Sequence, residues 1–150
     1  MSFKAKALVI SLLLASTVYA KSEIGGLQFV SHLHGDDIYV VVGNQGANDA
    51  TIGNSFEFFG ATKTLTPFVY SNERVCVSCN APPLVSSSLP TPPNPPFIEL
   101  RPAEVIGTSI KVSSLKAMYG LATGCYAAYF VYQWRKVKLV SNVTRFCIHQ

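Results

Sequence analysis

The chain has 150 residues, of which 49% are hydrophobic and 13% charged, and its formal net charge is +4. This length is enough for one domain with a hydrophobic core of its own. The positive charge is small and scattered, so we expect no nucleic-acid-binding surface, which needs basic residues clustered on one face.

The N-terminal segment, residues 1–20, has the organisation of a signal peptide. A short basic start is followed by the apolar run Ala7–Leu14, and small residues precede an expected cleavage site after Ala20. The apolar run is too short to span a bilayer, and no later segment approaches the length of a transmembrane helix. We therefore predict a secreted or periplasmic protein with no membrane span, whose folded domain comprises residues 21–150.

The first half of that domain predicts β-strands separated by turns. Leu27–His34 alternates loosely and is followed by a Gly-Asp-Asp turn. The β-branched run Ile38–Val42 is apolar on both faces, which suits a central strand. Residues 43–49 then interrupt the strand pattern. In residues 51–60 the alternation predicts three residues on one face of a strand: Ile52, Phe56 and Phe58.

The second half repeats this pattern after a proline-rich segment. Residues 105–115 alternate, with Ile106, Ile110 and Val112 predicted to face inward, and no window combines a helical period with caps. Short strands punctuated by glycine, asparagine and proline predict an all-β fold, a single immunoglobulin-like β-sandwich.

A proline-rich loop is predicted at residues 82–102, which hold eight of the nine prolines. Leu89–Phe97 is expected to be extended, polyproline-like chain, because proline supplies no N–H for a strand ladder. The loop either straps a sheet edge or presents Pro92, Pro93 and Pro95 to an aromatic groove on a partner.

The four cysteines predict disulfides, since an even number in an exported chain is typical of an oxidising compartment. A closing hairpin centred near Lys136 places Tyr126 opposite Phe146, Phe130 opposite Asn142 and Tyr132 opposite Val140. The same register places Cys125 opposite Cys147. We therefore favour Cys125–Cys147 with Cys76–Cys79, and the alternative joins the Cys76–Cys79 loop to the hairpin.

The tip of this hairpin is the predicted partner-binding site. Trp134 lies beside Arg135 and Lys136, and an exposed tryptophan next to basic residues is a typical interface anchor. Two alternatives stay open: Trp134 covers the end of the core, and the basic residues are simply a solvated turn.

Two further patterns could carry chemistry. His32 and His34 share a strand face and could bind Cu or Zn, with Asp36, Asp37 or His149 as a third ligand; a solvated strand end is the alternative.

The Cys-Val-Ser-Cys loop, Cys76–Cys79, could be a redox dithiol. Such motifs work at a helix N-terminus, and the Asn-Ala-Pro-Pro that follows does not favour a helix. No nucleophile elbow, phosphate loop or zinc-protease motif occurs in the sequence, so we expect neither an enzyme nor a cofactor.

An Asn-X-Thr triplet begins at Asn142 and would accept a glycan in a eukaryotic host. The hairpin register places Asn142 inward, however, which makes it a poor acceptor.

Three stretches, ELRPAEVIGTSIKVSSL, GCYAAYFVY and LVSNVTRFCI, resemble the second half of secreted immunoglobulin-like sandwiches. The pattern is similar to the pro-domains of deuterolysin-type metalloproteases and to small Ig-like proteinase inhibitors. Ala103 stands where that family usually has glycine, and the proline-rich loop is longer. The resemblance implies the scaffold and a binding role, with Tyr126 facing the core and its hydroxyl bonded to nearby backbone. We expect no protease domain after Gln150.

These patterns together predict an exported protein-binding module, peptidase-inhibitor-like or adhesion-type. Its partner would be a secreted or surface protein, with a peptidase among the candidates. A small metal-binding protein using His32 and His34 is the alternative, and a redox protein is the third hypothesis.

Overall fold

The computed structural model describes residues 25–57, 64–71, 74–79 and 96–149. The predicted leader and most of the proline-rich loop lie outside these ranges. In chain order, the elements of the described residues are β1 (Leu27–His34), β2 (Asp37–Asn44), β3 (Ala50–Gly53), β4 (Leu65–Ser71), β5 (Val75–Cys76), β6 (Phe97–Leu100), β7 (Val105–Lys111), α1 (Val112–Tyr119), β8 (Gly124–Trp134), β9 (Val137–Val140) and β10 (Thr144–Ile148).

The smaller of the two main sheets has the antiparallel order β1–β2–β7. As the sequence predicted, β2 is the central strand, and Ile38, Val40 and Val42 are fully buried on its inner face. The Gly35–Asp36 turn joins β1 to β2, and Gly35 has a φ of 60°, a left-handed conformation that glycine adopts without strain.

The larger sheet has the order β10–β8–β4–β5, and β9 also pairs with β8. Strict alternation along the eleven residues of β8 sends every second side chain into the core. The inward set is Tyr126, Ala128, Phe130, Tyr132 and Trp134. A separate two-stranded ribbon, β3 with β6, completes the strands.

The inner faces of the two main sheets share one hydrophobic core. Phe29 of β1 meets Tyr132 of β8 with ring centroids 6.1 Å apart. The chain is therefore an all-β sandwich with two disulfides, as predicted. No helix in the described part of the chain is long and apolar enough to cross a membrane.

The helix α1 contradicts the prediction of continuous strand after Val105. The strand ends at Lys111, and Val112 is buried as the first residue of the helix rather than as a strand residue. No side chain caps the N-terminus of α1, which is why the start was not visible in the sequence. The C-terminus did carry a signal, because Gly120 adopts the left-handed cap with a φ of 60°.

Other boundaries also differ from the prediction. The strand expected through residues 51–60 ends at Gly53; Phe56 packs against the core from a loop, and Phe58 lies outside the described residues. The predicted proline-rich loop is too long at its C-terminal end, since Phe97–Leu100 pairs with β3 and Leu100 is buried.

The turn before β7 contains Ala103, which stands where the similar immunoglobulin-like proteins usually have glycine. The N–H of Glu104 donates to the carbonyl of Arg101 over 3.0 Å, Pro102 occupies the second position, and Ala103 has a φ of 65°. These are the features of a type II turn, whose third position requires a positive φ and prefers glycine.

We expect Ala103→Gly to raise the free energy of unfolding by about 1 kcal/mol. A left-handed alanine costs about 1–2 kcal/mol, and the greater freedom of glycine in the unfolded chain offsets part of the gain. Urea unfolding checks this, with Ala47→Gly as the control. Ala47 is an exposed loop residue without a positive φ, so its replacement should lower stability. Equal changes in both variants would contradict the turn argument.

Candidate functional site

The predicted hairpin tip is present and basic. Strands β8 and β9 are joined by the turn Arg135–Lys136, with Trp134 opposite Val137. Both turn residues are exposed, and Arg135 has a φ of 52°. The turn therefore projects two cations from the end of the sandwich, beyond the last buried residue of β8.

Trp134 itself is not an exposed anchor. Only 7% of its surface is exposed, so the alternative stated for it, cover for the end of the core, describes the structure. Its indole lies against Gly53 of β3, where an added Cβ would approach Trp134 Cδ1 to 2.4 Å. The guanidinium of Arg135 lies over the indole ring, 4.6 Å from its centroid, in a cation–π contact. The tryptophan thus positions the turn and makes no direct contact surface of its own.

The register of the hairpin changes once along its length. The pairs Tyr126–Phe146 and Cys125–Cys147 are as predicted, whereas Tyr132 lies opposite Leu139 instead of Val140. Three residues, 141–143, face two residues of β8, so an extra residue forms a β-bulge between β9 and β10. Consequently the predicted pairing of Phe130 with Asn142 is wrong.

At the bulge Asn142 bridges the two sheets. Its Oδ1 accepts the N–H of Ser31 over 2.8 Å, and its Nδ2 donates to the carbonyl of Ser31 over 2.9 Å. The side-chain amide therefore pairs with β1 as a neighbouring strand would. A glycan on Nδ2 is incompatible with this pairing, which supports the view that the Asn-X-Thr triplet is a poor acceptor.

The polar groups around this bridge are buried and mutually satisfied. Ser31 Oγ lies 2.6 Å from Thr144 Oγ1 and donates to the carbonyl of Asn142. Ser141 Oγ accepts the N–H of Phe130 over 2.9 Å. Because buried hydroxyls are costly without partners, this cluster fixes the bulge in one arrangement.

The tyrosines of the core follow the expected pattern. Tyr126 is buried, and its hydroxyl donates to the carbonyl of Ala122 over 2.9 Å, as the resemblance implied. Tyr132 is fully buried, and its hydroxyl donates to the carbonyl of Gly53 over 2.9 Å. Burial raises the pKa of Tyr132 to about 12.

We expect Tyr132→Phe to be less stable than the parent at pH 8 but not at pH 11.5. At pH 8 the variant lacks the hydrogen bond to Gly53, a loss of about 1 kcal/mol. Between pH 10 and 12 the unfolded parent releases a tyrosine proton that the folded parent retains, so its stability falls with rising pH. Phenylalanine cannot titrate, and the variant escapes this decline.

Denaturant unfolding at the two pH values measures the difference. Burial also raises the pKa of Tyr119 to about 12. Its titration lowers the stability of both proteins by the same amount, so it cancels in the comparison. A constant difference between parent and variant across this range would contradict the assignment.

Both favoured disulfides are present. Cys125–Cys147 joins β8 to β10 with a Cα–Cα distance of 4.0 Å, and Cys76–Cys79 closes a loop beside β5. All four cysteines of the chain are therefore paired.

The Cys76–Cys79 loop is anchored to the edge of β4. The N–H of Val69 donates to Ser78 Oγ over 2.9 Å, and the N–H of Val77 donates to the carbonyl of Val69 over 2.8 Å. Residues 74–79 contain no helix. The helix N-terminus that activates redox dithiols is thus missing from this part of the loop.

The histidine pair lies on the outer face of the smaller sheet. His32 and His34 are both exposed, opposite Tyr39 and Asp37 respectively. Within the described ranges, no group of three or more histidine, cysteine, aspartate or glutamate side chains could hold a metal ion. The pair therefore has no third ligand among these residues.

The predicted contacts Pro92, Pro93 and Pro95 lie outside the described residues.

The sequence analysis missed a column of aromatic side chains on the outer face of the larger sheet. We call Phe68, Tyr129 and Tyr70 the aromatic column. The rings of Phe68 and Tyr129 are stacked with centroids 5.0 Å apart, and those of Tyr70 and Tyr129 with centroids 6.0 Å apart. The alternation of Thr66, Phe68 and Tyr70 was the available signal, but Pro67 obscured the strand.

No family model matches this sequence, and no curated protein matches it. The similarity to immunoglobulin-like pro-domains and inhibitors therefore stays a prediction.

Proposed function

We propose that this protein is an exported protein-binding module, inhibitor-like or adhesion-type, whose partner is a secreted or surface protein such as a peptidase. The observation that carries the proposal is the hairpin tip, where exposed Arg135 lies over the buried ring of Trp134 and exposed Lys136 follows it in the turn. A turn fixed in this way loses little conformational freedom on binding, which favours affinity. The two disulfides fit an oxidising compartment.

A capture experiment tests the proposal. The purified, oxidised protein is immobilised and exposed to the secreted fraction of its own host, beside the variant Arg135→Ala/Lys136→Ala. The control is Lys111→Ala/Lys116→Ala, which removes two exposed cations from β7 and α1. We expect one saturable partner whose affinity falls roughly tenfold in the tip variant only, as truncation of interface hot spots does.

The activity of the captured partner separates the two versions of the proposal. A peptidase that loses activity when the free protein is added identifies an inhibitor, whereas an unaffected partner identifies an adhesion-type module. The absence of a saturable partner would overturn the proposal. Equal capture by the tip and control variants would remove the hairpin tip from the site.

A further inference from the structure

The aromatic column is a rigid feature of the outer surface. Its three rings are half-buried side by side on β4 and β8. Rings that hold one another in place lose little rotamer freedom when a partner covers them. Tyrosines in such positions are typical of binding hot spots.

A row of three side chains lies beside the column. Across the sheet, Tyr70 of β4, Ala127 of β8 and Arg145 of β10 are aligned by the strand registers, with all three side chains on the outer face. Ala127 contributes only a methyl group between two long side chains. The row therefore presents an aromatic ring, a small apolar group and a cation side by side.

Charge is distributed unevenly between the two main sheets. Strands β4, β5, β8, β9 and β10 contain no aspartate or glutamate, and they contain Lys138 and Arg145. The basic tip, Arg135 and Lys136, continues this surface at one end. The smaller sheet instead carries both signs on its outer face, with Asp37 opposite Lys111. The strands of the larger sheet therefore carry cations and no anions, which suits a negatively charged partner.

Strand addition at the adjoining edge of β4 is blocked. The N–H and carbonyl of Val69 are already bonded to the Cys76–Cys79 loop, and Pro67 has no N–H to offer. A partner at this position would be recognised by side chains on the sheet face and not by backbone pairing.

We propose that the outer face of the larger sheet binds an acidic, extended protein segment, whose carboxylates pair with Arg145 and the basic tip and whose apolar side chains pack on the aromatic column. This inference rests on the proposed protein-binding function and specifies the chemistry of its partner.

The test uses a synthetic ten-residue peptide of alternating glutamate and tyrosine as the probe. Its affinity is measured by titration at low salt, and NMR shift changes locate the site. The comparison ligands are the same peptide with lysine replacing glutamate, and a heparin decasaccharide. We expect the acidic peptide to shift the signals of Ala127 and Tyr129 and to bind at least tenfold more tightly than the basic one.

Matched variants on the two sheets identify the face. Tyr70→Ser and Arg145→Glu should each weaken the acidic peptide roughly tenfold or more. The controls Tyr39→Ser and Lys111→Glu change the same residue types on the outer face of the smaller sheet and should leave affinity unchanged. Thermal unfolding verifies that each variant is folded. If Tyr70→Ser does not fold, the binding test depends on Arg145→Glu.

Three results would overturn the inference: equal weakening in the controls, no preference for the acidic peptide, or binding of heparin alone at this face. The capture experiment distinguishes this failure from failure of the proposed function. A natural partner lost in the tip variant but retained by Tyr70→Ser and Arg145→Glu defeats only the inference, whereas the absence of any partner defeats the function.

Discussion

Replacing Gly53 with alanine is expected to lower the free energy of unfolding by about 3 kcal/mol and to displace Trp134 from the end of the core. The added Cβ would lie 2.4 Å from Trp134 Cδ1 and 2.7 Å from Cγ, which is far inside van der Waals contact. Overpacking of this kind costs about 1–3 kcal/mol. We expect the upper end because the indole is a rigid ring, and because the hydroxyl of Tyr132 donates to the carbonyl of the same glycine.

The fluorescence of the protein reports this displacement directly, since the chain contains one tryptophan. The emission of Gly53→Ala in native buffer should shift to longer wavelength as the indole gains contact with water. Thr51→Ala, at an exposed position of the same strand, is the matched control and should change stability by less than about 0.5 kcal/mol. Unchanged emission together with parental stability would show that Trp134 is not held by this contact.

The same variant bears on the proposed function. If Trp134 positions Arg135 and Lys136, displacing it should weaken partner capture even though neither cation is altered. Thr51→Ala should capture normally. A folded Gly53→Ala protein with displaced tryptophan and unimpaired capture would mean that the turn binds without being held in place.

The closing hairpin shows what local sequence could predict. Alternation along β8 placed Cys125 opposite Cys147 and Tyr126 opposite Phe146, because both pairs depend only on strand periodicity and the position of the turn. The same alternation, continued from Tyr126 to Trp134, already places the tryptophan on the inner face. Burial of Trp134 was therefore available from the sequence, and the interpretation as an exposed anchor gave too much weight to its basic neighbours.

The features that were missed depend on contacts between distant parts of the chain. The bulge at residues 141–143 is fixed by Asn142 and Ser31, which are 111 residues apart in the sequence. Helix α1 has no capping side chain at its start and gains its stability from burying Val112 and Leu115 against the sandwich. The row of side chains beside the aromatic column exists because three strands are aligned, which no single segment encodes.

Replacing Asn142 with alanine is expected to lower the free energy of unfolding by about 3 kcal/mol. The substitution removes the partners of both the N–H and the carbonyl of Ser31 at the edge of β1. Each unsatisfied buried group costs about 1–3 kcal/mol, so the two together cost about 2–6 kcal/mol, and partial access of water to this edge keeps the sum in the lower half of that range. Val143→Ala, at a neighbouring bulge position that is 57% exposed, is the control and should be nearly neutral.

Asn142→Asp separates hydrogen bonding from size. An ionised carboxylate still accepts from the N–H of Ser31, but it cannot donate to the carbonyl and directs a second negative oxygen at it. The folded state therefore favours the protonated carboxyl, which can donate, so the new group has a raised pKa in the folded protein. Its destabilising effect should be full at pH 7 and decrease as the pH falls through that pKa.

Urea unfolding of the parent, Asn142→Ala, Asn142→Asp and Val143→Ala at pH 7 and pH 4 measures these effects. If Asn142→Ala loses no more stability than Val143→Ala, the bridge between the sheets contributes nothing. If the stability of Asn142→Asp relative to the parent does not increase at pH 4, the hydrogen bond donated to the carbonyl of Ser31 does not stabilise the protein. An increase would instead show that the side-chain amide of Asn142 stabilises the contact between the two main sheets by pairing with the edge of β1.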